Sequence, residues 1–158
     1  MGSGTILDTA RLRYGLSEHF KVAQGNIHAY VFGEHGDTSF IPWTGAYISG
    51  LSTDEYYEEM KAHGKDVKPL DKEAMLEYVQ KSGGKVIAKK GATFYAVSAT
   101  VCQLVGLILA ASDSLATVSS MLHGEYGIED VCLSTLTLVG PNGIQGKVQM
   151  RMNKEEVA

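Results

Sequence analysis

The chain has 158 residues, of which 44% are hydrophobic and 20% are charged, and its formal charge is −4 at pH 7. This length suits one domain with a substantial buried core. The net negative charge and a pI near 5.7 give no electrostatic attraction toward nucleic acid or an anionic membrane, so neither partner is expected.

The predicted elements begin with a helix and a strand. Apolar residues at helical spacing predict a helix over residues 5–20, which Thr5 can cap. The short β-branched and aromatic stretch 26–33 predicts a strand. Residues 44–50 indicate a weak helical or loop segment.

A polar region and an uncharged region follow. The acidic stretch 51–71 predicts a solvent-facing connection into a helix over residues 72–82. The 22 residues 91–112 carry no charge and are long enough to span a bilayer. Because they are rich in small residues and include Gln103, and no second span or aromatic belt supports a membrane protein, we interpret 92–111 as a buried central helix.

The last third of the chain changes to a β pattern. Residues 114–122, 131–140 and 143–152 predict three strands, and PNG at 141–143 is a tight-turn signal between the last two. The order of helix, strand, helices and β-meander predicts an α+β domain in which helices pack on an antiparallel sheet.

The cysteines and the N-terminal residues indicate a cellular location. Cys102 and Cys132 belong to no CxxC or Cys/His cluster, and both have apolar neighbours, which predicts reduced thiols in the core. The first ten residues, MGSGTILDTA, lack the charged start and apolar run of a secretory signal peptide. Both observations favour a cytoplasmic protein.

Three short patterns resemble nucleotide or metal motifs but are incomplete. GSGT at 2–5 lacks the third glycine of a dinucleotide fingerprint and has no strand before it. GGK at 83–85 is followed by Val86, where a phosphate-binding loop needs Ser or Thr. The five histidines show no metal-binding spacing, so we expect no metal site.

The sequence GEHGDTSF at 33–40 places His35 between two glycines after an apolar run. Such a histidine is more often a turn residue than a catalyst. Asp8 and Arg11 are three residues apart on the predicted helix, so they share a face, and their spacing alone favours an exposed ion pair. The functional alternative is that Asp8 orients His35 while Arg11 binds a substrate carboxylate. The spacing leaves both interpretations open.

Four separated motifs have the order and spacing of one family: GSGTILDTARLR, HAYVFGEHGDTSFIPW, KKGATFYAVS and HGEYGIEDVCLS. Through them, nearly the whole chain resembles the C-terminal, substrate-binding domain of bacterial L-lactate dehydrogenases, within the lactate/malate dehydrogenase superfamily. The resemblance implies one α+β domain over 1–158. Relative to the full enzyme, this domain would be truncated at both ends and lack the Rossmann half.

The resemblance also implies the chemistry and its residues. His35 would be the acid/base catalyst for reduction of pyruvate to L-lactate by NADH, and Asp8 would orient its imidazole. Arg11 would bind the substrate carboxylate, Thr93 would line the pocket around the substrate methyl group, and Ser3 would lie beside the nicotinamide ring. NAD is therefore the implied cofactor, with most of its contacts in the missing half and no metal involved.

Regulation and assembly are implied by two further positions. Arg13 and His28 match the pair that binds fructose 1,6-bisphosphate at a subunit interface in allosteric members of the family, which form homotetramers. The implied role is the end step of fermentative glycolysis. We expect the isolated chain to be inactive and to expose apolar surface that the missing half would cover.

Two other functions stay open. GEHGDTSFIPW favours lactate over malate, but the residue that decides the substrate lies on a mobile loop in the other half of the family's enzymes. A malate or other L-2-hydroxyacid dehydrogenase domain is therefore one alternative. The second is a non-catalytic interaction module that retains the fold.

Overall fold

Helix α1 (Gly4–Phe20) lies at the centre of the computed structural model, which describes residues 1–157. The structure has a small three-stranded sheet beside α1, a larger three-stranded sheet, and four further helices. The elements are β1 (Ile27–His28), β2 (Tyr47–Ile48), β3 (Leu51–Ser52), α2 (Thr53–Ala62), α3 (Lys72–Lys90), α4 (Phe94–Leu109), β4 (Ser114–His123), β5 (Glu129–Gly140), β6 (Gly143–Lys147) and α5 (Lys154–Val157).

The predicted first helix is confirmed, but its cap is not the predicted residue. Ser3 occupies the N-cap position, and Thr5 lies inside the helix and is fully buried. The Thr5 hydroxyl donates to the backbone carbonyl of Thr117 at 3.0 Å, and the Thr117 hydroxyl donates to the carbonyl of Thr5 at 3.1 Å. Thr5 therefore joins α1 to β4 instead of capping the helix.

Helix α1 contributes to two separate hydrophobic clusters. Leu12, Leu16 and Phe20 pack with residues of the 27–48 region and with Val79 of α3. Ile6, nearer the start of the helix, packs with a second cluster formed by α4 and the larger sheet. Because residues of α1 belong to both clusters, the helix fixes the position of the 27–48 region relative to the larger sheet.

The strand predicted over 26–33 is interrupted after two residues. Ile27 pairs with Ile48 and His28 with Tyr47 in the antiparallel β1–β2 ladder. The backbone N–H of Val31 then donates to the Thr9 hydroxyl at 3.0 Å. The ladder ends because a side chain of α1, and not the backbone of a neighbouring strand, accepts the hydrogen bond of the Val31 N–H.

The predicted connection over 51–71 contains a helix that the sequence analysis missed. Helix α2 begins after Ser52, whose hydroxyl accepts from the backbone N–H of Glu55, while the Glu55 carboxylate accepts from the backbone N–H of Ser52. This reciprocal pair is a capping box, which stabilises a helix start even in a strongly polar stretch.

The helix predicted over 72–82 continues eight residues further, to Lys90. It passes through Gly83 and Gly84 and ends at Gly91, which adopts a left-handed conformation with φ of 77°. Two glycines lower helix propensity without making helical backbone angles inaccessible. A glycine with positive φ after the last helical residue is the common way for a helix to end.

Helix α4 confirms the predicted uncharged helix but not its predicted burial. Only Thr100 and Leu104 are buried along its 16 residues. Both cysteines are exposed, Cys102 on α4 and Cys132 on β5, so the prediction of core thiols was also wrong. The reason is that α4 packs against the rest of the described chain through one face only. No described residue covers its opposite face. None of the described helices combines the length and hydropathy that a bilayer crossing requires.

The larger sheet is the predicted meander. Strand β4 pairs antiparallel with β5 from Ser114↔Val139 onward, and β5 pairs antiparallel with β6 through the hairpin at Gly140↔Gly143. Strand β6 ends at Lys147 and not near residue 152, since the chain then leaves the sheet and the backbone N–H of Met150 donates to the Tyr126 hydroxyl at 2.9 Å. The α+β fold is confirmed.

Candidate active site

The structure brings together three of the predicted residues, Asp8, Arg11 and His35. His35 Nδ1 lies 2.6 Å from Asp8 Oδ2, and Arg11 Nη1 donates to Asp8 Oδ1 at 3.0 Å. The Asp8 side chain is only 3% exposed, that of Arg11 is 15% exposed and that of His35 is 54% exposed. A buried carboxylate thus connects a half-buried guanidinium to an accessible imidazole.

Burial excludes the exposed ion pair that the Asp8–Arg11 spacing alone favoured. An exposed ion pair would contribute little to folding and would need no third partner. Asp8 instead lies inside the protein with both carboxylate oxygens hydrogen-bonded. A buried carboxylate is costly unless its hydrogen bonds are satisfied, and here His35 and Arg11 satisfy them.

The hydrogen bond to Asp8 assigns the two nitrogens of the His35 ring. An ionised carboxylate only accepts hydrogen bonds, so Nδ1 carries the hydrogen that donates to Asp8. Nε2 is then the ring atom that can exchange a proton with a bound molecule. A histidine whose one nitrogen is fixed by a buried carboxylate has the arrangement of an oriented acid/base group.

The loop that carries His35 is fixed at both ends. Gly33 exchanges two backbone hydrogen bonds with Ser134 of β5, at 3.0 and 2.9 Å, and Phe32 exchanges two with Phe40, at 2.9 and 3.1 Å. Gly33 and Gly36 have φ of 86° and 140°, values that favour glycine. His35 is therefore both a turn residue and an oriented one.

Helix α3 adds a contact to this loop that the sequence analysis missed. The side-chain amide of Gln80 donates to the backbone carbonyls of Asp37 and Ser39, both at 2.9 Å. The side-chain amide therefore binds the carbonyl before Thr38 and the carbonyl after it. No local pattern marks Gln80, because its partners lie more than 40 residues earlier in the chain.

The other two predicted active-site residues occupy helix starts. Thr93 is the N-cap residue of α4 and Ser3 is that of α1, and neither side chain caps a backbone N–H. Ser3 directly precedes Gly4, which lies against the His35 ring. In the described part of the chain, neither residue is hydrogen-bonded to Asp8, Arg11 or His35.

The two predicted effector residues lie on another face of α1. Arg13 Nε donates to the backbone carbonyl of Ala29 at 3.1 Å, and its guanidinium lies 5.1 Å from the centre of the Tyr30 ring. His28, the residue before Ala29, is exposed on β1. Arg13 also lines a cleft of about 340 Å³ between α1 and α4. Arg13 therefore binds the residue that follows His28, but no hydrogen bond joins Arg13 to His28 in the described chain.

A large cavity among the described residues lies away from the Asp8–His35 pair. It has a volume of about 890 Å³ and is lined by residues on the other side of the His35 loop, including Phe32, Phe40, Trp43 and Leu76. Its walls include none of Asp8, Arg11 and His35. We identify the candidate active site from its hydrogen-bonded acid/base group, because a cavity volume alone specifies no chemistry.

Three features define the class of this chain. It is an α+β domain, and its first helix carries the buried Asp8 and the largely buried Arg11. A loop holds His35 against that helix. The sequence profile of the lactate/malate dehydrogenase, alpha/beta C-terminal domain matches residues 5–158, and the chain belongs to this family. The resemblance and the fold predicted from the sequence are therefore confirmed.

The relatives are L-lactate dehydrogenases. The enzyme of Acetivibrio thermocellus is 45% identical over 157 residues, covering 99% of this chain and 49% of its own. L-lactate dehydrogenase 1 of Clostridium acetobutylicum is 43% identical over 156 residues, with the same coverage. The solved L-lactate dehydrogenase from Clostridium thermocellum has a TM-score of 0.85 at 35% identity, covering 99% of this chain and 49% of its own. The chain spans about half the length of the curated relatives it matches.

Proposed function

We propose that this chain is the substrate-binding and acid/base domain of an NAD-dependent L-lactate dehydrogenase, which reduces pyruvate to L-lactate. The observation that carries the proposal is the 2.6 Å contact between His35 Nδ1 and the buried Asp8 carboxylate. The names of the relatives favour lactate over the malate alternative. A non-catalytic module would gain nothing from a buried carboxylate that orients an exposed imidazole.

In this proposal, His35 moves one proton. Bound NADH would supply the hydride that reaches the pyruvate carbonyl carbon. Protonated His35 gives the proton on Nε2 to the carbonyl oxygen, which becomes the hydroxyl of lactate, and in lactate oxidation Nε2 takes that proton back. The Asp8 carboxylate stabilises the imidazolium form and keeps Nε2 turned toward the substrate.

Arg11 would bind and orient the substrate. Its hydrogen bond to Asp8 uses Nη1. The remaining N–H groups are left for a carboxylate, which a guanidinium can hold through two parallel hydrogen bonds. Held in this way, the carbonyl of a 2-oxo acid keeps one orientation toward His35. Thr93 would limit the space for the substrate methyl group.

The residues of this chain fit only the nicotinamide end of the cofactor. The Ser3 hydroxyl caps no backbone N–H of α1, and the next residue, Gly4, lies against the His35 ring. GSGT at 2–5 lacks the third glycine that a pyrophosphate-binding fingerprint needs. We therefore assign most NAD contacts to the half of the relatives that this chain does not match, and we expect the 158-residue chain alone to lack turnover.

A regulated assembly is part of the proposal. In a cytoplasmic homotetramer that ends fermentative glycolysis, Arg13 and His28 would bind fructose 1,6-bisphosphate with their symmetry mates. Support comes from Arg13, whose guanidinium is fixed by Ala29 and Tyr30 beside the cleft between α1 and α4. Two such pairs across a two-fold axis would offer up to four positive charges to two phosphates.

The test is a chimera of this chain with the N-terminal half of the Acetivibrio thermocellus enzyme. We expect His35→Asn to lower pyruvate turnover by about 10²–10⁴-fold and to leave NADH affinity unchanged, because asparagine keeps a polar contact but carries no proton. His63→Asn, at an exposed histidine that ends α2, is the matched control. Wild-type turnover in His35→Asn would remove His35 from the mechanism. An assembled chimera that binds NADH but reduces no pyruvate would favour the non-catalytic module.

A further inference from the structure

Gly4, the first residue of α1, lies directly against the ring of His35. A Cβ atom built on Gly4 would stand 2.4 Å from Cγ, 2.6 Å from Cβ and 2.7 Å from Cδ2 of His35. Unbonded carbon atoms do not approach each other within such distances, since favourable contacts lie near 3.5–4.0 Å. With His35 in its present place, position 4 has room only for a hydrogen.

The backbone of Gly4 does not itself require glycine. Gly4 lies within α1 and is not one of the glycines with positive φ, such as Gly33 and Gly36. Glycine in a helix is less stable than alanine by up to about 1 kcal/mol. The close approach of the imidazole is therefore the structural feature that only glycine permits here.

The Cβ atom added at position 4 would clash with the Cβ atom of His35 as well as with its ring. Rotation about χ1 moves the ring but not Cβ, which would still lie 2.6 Å from the added atom. Relief of the clash therefore needs a shift of the loop backbone. Asp8 lies one turn further along the same helix, and its carboxylate holds Nδ1 at 2.6 Å. A shift that lifts His35 off Gly4 also lengthens this hydrogen bond.

We propose that Gly4 is a positioning residue, which lets the His35 ring rest on the first turn of α1 at hydrogen-bonding distance from Asp8. The catalytic meaning of this position rests on the proposed function, whereas the position itself does not. Gly4 sets where the ring lies, and Asp8 sets which nitrogen carries the hydrogen.

The first measurement is the protonation of the two His35 ring nitrogens, by ¹⁵N NMR on the 158-residue chain. The unsubstituted chain should hold the neutral ring with its hydrogen on Nδ1. Gly4→Ala should lose that preference and keep the amide signals of α1. Gly106→Ala is the matched control, since Gly106 lies inside α4 with no atom near its missing Cβ, and it should leave the ring unchanged. An unchanged ring in Gly4→Ala would overturn the proposal.

The second measurement is a double-mutant cycle in thermal unfolding. It tests the proposal even if the Gly4→Ala chain is too unstable for the NMR measurement. We expect Gly4→Ala to lower the melting temperature by about 2–4 °C for each kcal/mol lost. In a His35→Gly background, which has no side-chain atom left to meet the added Cβ, it should leave the melting temperature unchanged or raised. An equal loss in both backgrounds would overturn the proposal, because the histidine would then not be the cause. If the NMR result holds while the chimera reduces no pyruvate, the proposed function fails and the positioning role stands.

Discussion

Helices α1 and α4 are of similar length but have opposite environments. Helix α1 carries several charged residues and still buries seven side chains against β4, α3 and the 27–31 segment. Helix α4 has no charged residue and buries two. Six large apolar side chains of α4 are exposed: Phe94, Tyr95, Val97, Val101, Val105 and Leu109. The burial of a helix in this chain therefore follows from the partners around it and not from its composition.

The polar residues that α1 buries, Thr5, Asp8 and Thr9, each have a hydrogen-bond partner. Thr9 shares a 3.1 Å hydrogen bond with the Thr117 hydroxyl and accepts from the backbone N–H of Val31, and Asp8 binds Arg11 and His35. The exposed apolar residues of α4 have no such cover among the described residues. Large exposed apolar patches are typical of surfaces that other protein segments cover. In the proposed function, the other half of the enzyme or a second subunit would cover this face.

Truncation of one apolar side chain on each helix tests this contrast and has the largest expected effect. Leu16 is fully buried, so Leu16→Ala should lower the free energy of unfolding by about 2–5 kcal/mol. Val105 is 46% exposed, so Val105→Ala should change it by less than about 0.5 kcal/mol. Urea denaturation of the 158-residue chain measures both. Similar losses at the two positions, growing with protein concentration, would show that copies of the chain bury the α4 face against each other.

The sequence predicted the site better than its surroundings. Asp8 and His35 are 27 residues apart, and the GEHGD and LDTAR motifs identified them through a family resemblance, whereas spacing alone left both roles open. The Gln80 contact and the packing of Gly4 on His35 depend on where α3 and the loop meet α1, which no local pattern records. The exposure of α4 was missed for the same reason, since an uncharged helix is buried only if something lies on each side of it.

Two arginines on α1 allow a second test, this time between two faces of the same helix. Arg11 faces Asp8, whereas Arg13 faces Ala29 and Tyr30. In the chimera, Arg11→Lys should raise the KM for pyruvate by about 10–100-fold, because lysine keeps the charge but cannot form two parallel hydrogen bonds with a carboxylate. Arg13→Lys is the matched control and should leave that KM unchanged when no effector is present.

The affinity of the same variants for NADH separates the roles further. Arg11→Lys should bind NADH as the unsubstituted chimera does, because the proposed contact is to the substrate carboxylate alone. Near-normal pyruvate affinity in Arg11→Lys would return Arg11 to an ion-pair partner of Asp8. A weaker NADH affinity would instead indicate that the change had disturbed the assembly of the two halves.

The smallest expected effect concerns the cleft where α1 and α4 meet, which Arg13 and Gln103 line. If two subunits bring their Arg13 and His28 side chains together, fructose 1,6-bisphosphate would favour the quaternary state that closes around it. Allosteric coupling of this kind is typically worth about 1–3 kcal/mol, so the KM for pyruvate should fall by a few-fold or more. We would titrate the chimera with the sugar bisphosphate at subsaturating pyruvate, with inorganic phosphate as the control ion.

Arg13→Gln combined with His28→Gln should abolish the activation, because neither amide carries a charge. If the double variant is activated as strongly as the unsubstituted chimera, or if the unsubstituted chimera is not activated at all, Arg13 only anchors Ala29 and Tyr30 to α1. The cleft is then a gap between two helices with different surroundings.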